Sequence, residues 1–258
     1  MTARSEGVLH FFCHAHAGSA ALEVNQLPAN AAGWREGAAC PVCGAITRAR
    51  FAAEWIARLA SNRSGAQVYV TEQLTPLYRA LRRRMPALIG SEFVPDEAER
   101  SSVQTRLRQF LGDETASLRH EDITALSFPK GSLDLVGCFD VLEHLPDEAA
   151  ALEAFFRVLA PQGALLLSVP FLPEASATLV RALPDPTSAD GVRHLLPPEY
   201  HGDPTDPDGG ILCYRHFGWD LLEKLRGLGF ASTALLEGWG EATGVFGDQQ
   251  LILAVKPA

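Results

Sequence analysis

Two short clusters of soft metal ligands open the chain: Cys13-His-Ala-His16 and Cys40-Pro-Val-Cys43-Gly44, with twenty-three residues between them. Structural zinc takes four nitrogen or sulfur ligands in a tetrahedron, and a C-x2-C knuckle supplies two thiolates from one tight turn. Gly44 gives that turn the backbone freedom it needs. The pattern C-x2-H…C-x2-C therefore predicts a closed zinc site made of Cys13, His16, Cys40 and Cys43, structural rather than catalytic. His14 could replace His16, although a ligand adjacent to Cys13 is poor geometry for one metal. Ordinary thiols and surface histidines are the bland alternative. A redox pair at Cys40 and Cys43 would need a thioredoxin-like βαβ unit around it, which the pattern lacks. Five cysteines, odd in number and unevenly spread, argue against a disulfide framework.

Acids and histidines also stand where apolar runs end. Gly90-Ser-Glu92 closes one such run, and an acid there suits both hydroxyls of a ribose. Cys138, Phe139 and Asp140 close another, at the strand end where open α/β sheets bind ligands. Cys138 alone reads equally as a core thiol. His144, next to Glu143, could act as a base near neutral pH or simply orient its turn. A proline-rich stretch carries Pro197-Pro-Glu-Tyr200-His201-Gly-Asp203-Pro204 and then Cys213-Tyr-Arg-His216. Loops this long in a compact domain are usually functional. Tyr200, His201, Tyr214 and His216 are thus candidates for a general base or for aromatic walls, with His201 the preferred base. A lid whose histidines only bond to backbone is the alternative. Arg79, Arg82, Arg83 and Arg84 with Arg48 and Arg50 read as a solvated face or, less readily, an anion-binding patch.

These residues need elements to position them. Apolar spacing predicts helices at 47–59, 77–84, 148–159 and 219–228. Short β-branched or apolar runs predict strands at 67–71, 87–90, 118–123, 133–139 and 164–170. The run at 164–170 is apolar on both faces, as the centre of a parallel sheet requires. Runs at 231–236 and 250–255 fit a closing antiparallel pair. Strands spaced by helices indicate right-handed crossovers. The expectation is an α/β fold: a Rossmann-like, seven-stranded, doubly wound sheet at 61–258, with a proline-rich lid at 171–217 and a small zinc-binding module at 1–60.

Several linked motifs carry a resemblance. Asp122-Ile-Thr-Ala-Leu-Ser-Phe-Pro, then Leu133-Asp-Leu-Val-Gly-Cys-Phe-Asp-Val-Leu-Glu-His-Leu, then Val158-Leu-Ala-Pro-Gln-Gly resemble class I S-adenosylmethionine-dependent methyltransferases. The turn Thr71-Glu-Gln-Leu-Thr-Pro-Leu-Tyr78 with Gly90-Ser-Glu92 is similar to a subset carrying an N-terminal zinc-ribbon-like module, and Thr47-Arg-Ala-Arg50 continues that match. The resemblance implies S-adenosyl-L-methionine and Zn2+ as cofactors. It further implies a methyl-donor site built from Thr71, Glu72, Glu92, Asp122, Ile123, Cys138, Phe139 and Asp140, with Asp122 and Ile123 at the adenine. His201, Tyr200 and His144 are the catalytic candidates. An Asp at position 122 also reads as a turn residue. The first turn has no glycine where the family usually has several, and side chains there restrict backbone approach. An inactive methyltransferase fold that binds a partner through its zinc module and lid is therefore the second reading. A nicotinamide oxidoreductase is disfavoured because no G-x-G-x-x-G follows the first strand.

Composition bounds the rest. The 258 residues carry Lys+Arg 22 against Asp+Glu 31, a net charge of −9, which argues against a nucleic-acid partner. No apolar run reaches a membrane span, and the first residues lack a signal-peptide pattern, so a cytoplasmic location is expected. The expected acceptor is a small or carrier-bound molecule; its identity and the oligomeric state are not written in the sequence.

Overall fold

The computed structural model describes residues 7–28, 33–202 and 209–258. Residues 1–6, on which the signal-peptide expectation rests, and Asp203 and Pro204 of the proline-rich segment lie outside them. The N-terminal zone, for which the sequence predicts no regular element, forms an antiparallel hairpin of β1 (Val8–Cys13) and β2 (Gly18–Glu23). Alternate residues Phe11, Cys13, Ala20 and Leu22 are buried, the period of a half-buried strand pair. Helix α1 (Thr47–Ser61) follows and buries Phe51, Ala52, Ala53 and Ile56. Burying side chains as large as Phe51 and Ile56 contributes roughly 1.5–3 kcal/mol each.

The main sheet begins with β3 (Val68–Val70), α2 (Pro76–Arg84), β4 (Ile89–Gly90) and α3 (Glu97–Leu111). It continues with β5 (Leu133–Phe139), α4 (Glu148–Val158) and β6 (Leu159–Ser168). Strands β7 (Leu179–Val180), β8 (Ala182–Pro184), β9 (Val192–His194), β10 (Tyr200–His201), β11 (Ile211–Leu212) and β12 (Arg215–His216) occupy the expected lid. They pair as β7 with β12, β8 with β9 and β10 with β11, so the zone is a set of short ladders rather than a loop. Helix α5 (Asp220–Gly227) and the long strands β13 (Ser232–Gly240) and β14 (Val245–Val255) complete the fold.

The central order is β13-β14-β6-β5-β3-β4, with β14 antiparallel to both neighbours and the other four strands parallel. This is a Rossmann-like sheet with six strands where the sequence predicts seven. Residues 118–123 contribute only one parallel bridge, His120 to Glu92. The reason is local: Glu121 accepts from Ser127 N and Oγ, and Asp122 accepts from Thr124 N and Oγ1. Those side-chain turns bend the chain away directly after the bridge. Among the described residues no helix is long and apolar enough to cross a membrane.

Candidate active site and metal cluster

Cys13 ends β1, His16 sits in the hairpin turn, and Cys40 and Cys43 come from the loop before α1. Folding brings one ligand atom of each within 4.8 Å of the others. Cys13 Sγ lies 3.7 Å from Cys43 Sγ, and Cys40 Sγ lies 3.8 Å from His16 Nδ1. A tetrahedron with Zn–S bonds of about 2.3 Å has edges of about 3.8 Å. Thiol hydrogen bonds from Cys13 and Cys43 drive the Cys40 pKa far down, while the same contacts drive Cys43 up.

Arg50, one turn into α1, ties this module to the sheet. It is fully buried and donates to the carbonyls of Ala38, Ala45 and Gly244. Its guanidinium stands 5.0 Å from the Phe11 ring centroid and 5.6 Å from that of Phe246. Arg79 reaches the carbonyls of Cys43 and Phe110, Arg82 pairs with Asp113, and Arg84 donates to the His14 carbonyl. Arg50, Arg79, Arg82 and Arg84 thus hold elements together.

A cavity of about 860 Å³ opens where β3 and β5 end, the point at which the sheet order reverses. Thr71, Glu72, Glu92, Phe139, Asp140, His144 and His201 all line it. The glycine-free turn keeps its shape through two devices. Glu92 Oε1 accepts from the backbone N of Gln73 and of Leu74, each at 2.6 Å. Gly90 lies so close that a Cβ there would meet the Glu72 carbonyl at 2.5 Å. Glu72 is pushed up to about 7 by burial, with Arg48 opposing and Glu92 assisting. Its Oε1 is sealed from solvent without a hydrogen-bond partner.

Asp140 has φ 52° and receives Ser168 Oγ at 2.7 Å, Arg48 at 2.9 Å and Arg35. Burial would raise its pKa, but the two guanidiniums hold it below the ordinary carboxylate range. Arg35 and Arg48 both line the cavity and both precede the sheet in sequence, so the N-terminal module builds one wall of the site. The sequence marked Arg48 only within the Thr47-Arg-Ala-Arg50 run and the anion-patch alternative, and it gave no sign of Arg35.

Behind His144 and His201, which line the cavity, Glu143 is wholly buried and neither carboxylate oxygen has a hydrogen-bond partner. His144 Nε2 stands 3.8 Å from its Oε1 and His201 Nδ1 stands 3.6 Å away. The Glu143 carboxylate, against some burial and with help from Glu199, raises His201 to about 9. An imidazole that holds its proton at neutral pH is no base in that state.

The remaining expected residues lie elsewhere. Tyr200 is 60% exposed and off the cavity lining. Cys138 is fully buried in the core, its thiol raised by burial. Ile123 is buried in the core, and Asp122 bonds to Thr124; neither lines the cavity.

Residues 65–167 match the methyltransferase domain family. A probable S-adenosylmethionine-dependent methyltransferase of Mycolicibacterium smegmatis is 36% identical over 83 residues, 32% of this chain and 29% of the relative. The ubiquinone biosynthesis O-methyltransferase of Psychrobacter arcticus is 31% identical over 93 residues, 36% of this chain and 35% of that protein. The chain thus spans about a third of the curated relatives it matches. Among solved structures, the amino pentose methyltransferase CalS10 from Micromonospora echinaspora aligns with a TM-score of 0.50 at 18% identity, covering 81% of this chain and 91% of that one.

Proposed function

We propose that this chain, whose residues 65–167 match the methyltransferase domain family, is a class I S-adenosylmethionine-dependent methyltransferase that transfers the methyl group of that donor to a small-molecule acceptor. The observation that carries the reading is the cavity at the sheet's switch point, of a size for a donor with an acceptor beside it. It also argues against the inactive, partner-binding alternative, since the glycine-free turn leaves the cavity open. The relatives named for ubiquinone biosynthesis and for an amino pentose favour small acceptors over macromolecules.

When bound, S-adenosylmethionine supplies a methyl group on a sulfonium, open to in-line displacement. Glu92 holds the turn after β3, and Glu72 presents a carboxylate to the cationic end of the ligand. Arg35 and Arg48 fix Asp140 and close the wall from the N-terminal side. His144 and His201 stand opposite, where they orient an acceptor group. Cys13, His16, Cys40 and Cys43 hold structural zinc, a thiolate site suited to a reducing compartment such as the cytoplasm.

Calorimetric titration of S-adenosylhomocysteine into zinc-replete protein tests the reading. Micromolar or tighter binding at one site per chain is expected. A folded, zinc-containing protein that binds none would overturn it in favour of a partner-binding relic.

A further inference from the structure

We propose that Glu143, His144 and His201 form a second metal site, for a first-row divalent cation, separate from the thiolate cluster. Their ligand atoms lie within 4.8 Å of one another, with His144 and His201 on the wall of the cavity and Glu143 buried behind them. The hydrogen bonds around them decide which atoms face inward. His144 Nδ1 lies 2.8 Å from the Leu212 carbonyl, so that nitrogen carries the proton and Nε2 turns a lone pair toward Glu143. His201 Nε2 lies 3.0 Å from Glu199 Oε1, which fixes its outer edge and leaves Nδ1 toward Glu143. Glu199 is itself held by His216 and Arg181, each at 3.0 Å. Carbonyl–histidine and carboxylate–histidine pairs of this kind orient imidazoles around metals.

Glu143 supplies the independent observation. A wholly buried carboxylate with two unbonded oxygens is costly unless a charge compensates it. Among the described residues its ion-pair partners are these two histidines, at 3.8 and 3.6 Å, outside hydrogen-bond reach. An ion with bonds of about 2.1 Å spaces its ligand atoms about 3.0–3.4 Å apart. The two carboxylate–imidazole gaps, at 3.8 and 3.6 Å, thus need to close by less than about 1 Å, and the two imidazole nitrogens start within 4.8 Å of each other. Two imidazoles and one carboxylate suit manganese, iron or zinc dications, and leave coordination positions open toward the cavity. An acceptor offering one or two oxygen donors fits them. That last role rests on the methyl-transfer reading; the site itself does not.

Manganese(II) is the probe, because thiolates bind it poorly and its free ion is read directly by electron paramagnetic resonance. Titrated into the full chain with zinc in the thiolate cluster, it should bind at one site per chain. Glu143→Gln and His201→Ala should each weaken that site tenfold or more. His201 sits on a surface hairpin, so its variant stays informative if the Glu143 variant does not fold. No bound manganese, or the same affinity in both variants, overturns the site and leaves an imidazolium–carboxylate contact in its place. S-adenosylhomocysteine titrated into the same samples separates the two readings. Donor binding without manganese binding overturns only the metal site. Manganese binding without donor binding supports the site and overturns the methyl-transfer reading.

Discussion

Glu72 concentrates the electrostatics of the proposed donor site in one side chain. Burial holds its pKa up to about 7, well above an ordinary glutamate, so in the empty site it keeps its proton through the acidic range. A ligand bearing an ammonium group favours the ionised form, and binding must then release that proton below the shifted pKa. Affinity for S-adenosylhomocysteine should therefore rise by up to about tenfold per pH unit below pH 7, and level off above it. Glu72→Gln should flatten the profile. Titrations in two buffers of different ionisation enthalpy count the released proton, and an equal slope in the variant would remove Glu72 from the binding step. Stability has the opposite sign. The contribution of the neutral form is fully present below the ordinary glutamate pKa and is lost as pH rises through about 7. The glutamine variant should consequently melt above wild type at pH 8 and show little such advantage at pH 5.

Helix α1 shows why an element's role is only partly written in its own residues. Its apolar spacing predicts a helix, but Arg50 reads there as a surface cation, whereas it is buried against the carbonyls of Ala38, Ala45 and Gly244. Arg50→Ala strands those acceptors, at about 1–3 kcal/mol each, and should destabilise the chain by about 3–5 kcal/mol. Arg50→Lys should recover only part, since a single ammonium cannot span them. Denaturant midpoints at constant slope measure this; a shift below about 1 kcal/mol would show that water replaces the bonds. The same limit explains what sequence reading captured elsewhere. Runs such as Leu133–Phe139 and Ala164–Ser168 are apolar on both faces, and they are the sheet's centre. Helix α3 escaped because only Val103, Leu107 and Leu111 are buried, a narrow stripe on a polar helix, although Asp96 and Gly112 cap it correctly. Strand pairing in the lid rests on partners such as Arg215 with Val180, far apart in sequence. Thiol spacing pointed directly to the Cys13, His16, Cys40 and Cys43 grouping, because four ligands of a small ion leave little freedom. Arg35 gave no such signal: its partner Asp140 lies 105 residues away.

At the scale of the molecule, the N-terminal module and the sheet share one core. Phe11, Leu22, Cys43, Phe51, Ile56, Val70, Leu135 and Leu251 belong to a single buried cluster that runs from the hairpin through α1 to the central strands. A metal held by the proposed cluster would fix the hairpin to the Cys40 loop and act on the cavity through Arg35 and Arg48, which reach Asp140 from that loop and from α1. Coupled metal binding and folding make the ion part of the folding free energy. Cys40→Ser should lose zinc and lower the melting temperature of the whole chain in one transition rather than melt a separate unit. It should also weaken S-adenosylhomocysteine binding about tenfold, the loss of about 1.4 kcal/mol expected if the Arg35 and Arg48 wall loosens. Metal content, calorimetric melting and donor titration on one preparation test the chain of cause. Two melting transitions would show that the module folds apart from the sheet. A zinc-free variant with wild-type donor affinity would show that the wall stands without its metal, and would leave Arg50 and the apolar contacts of Phe11 to hold it.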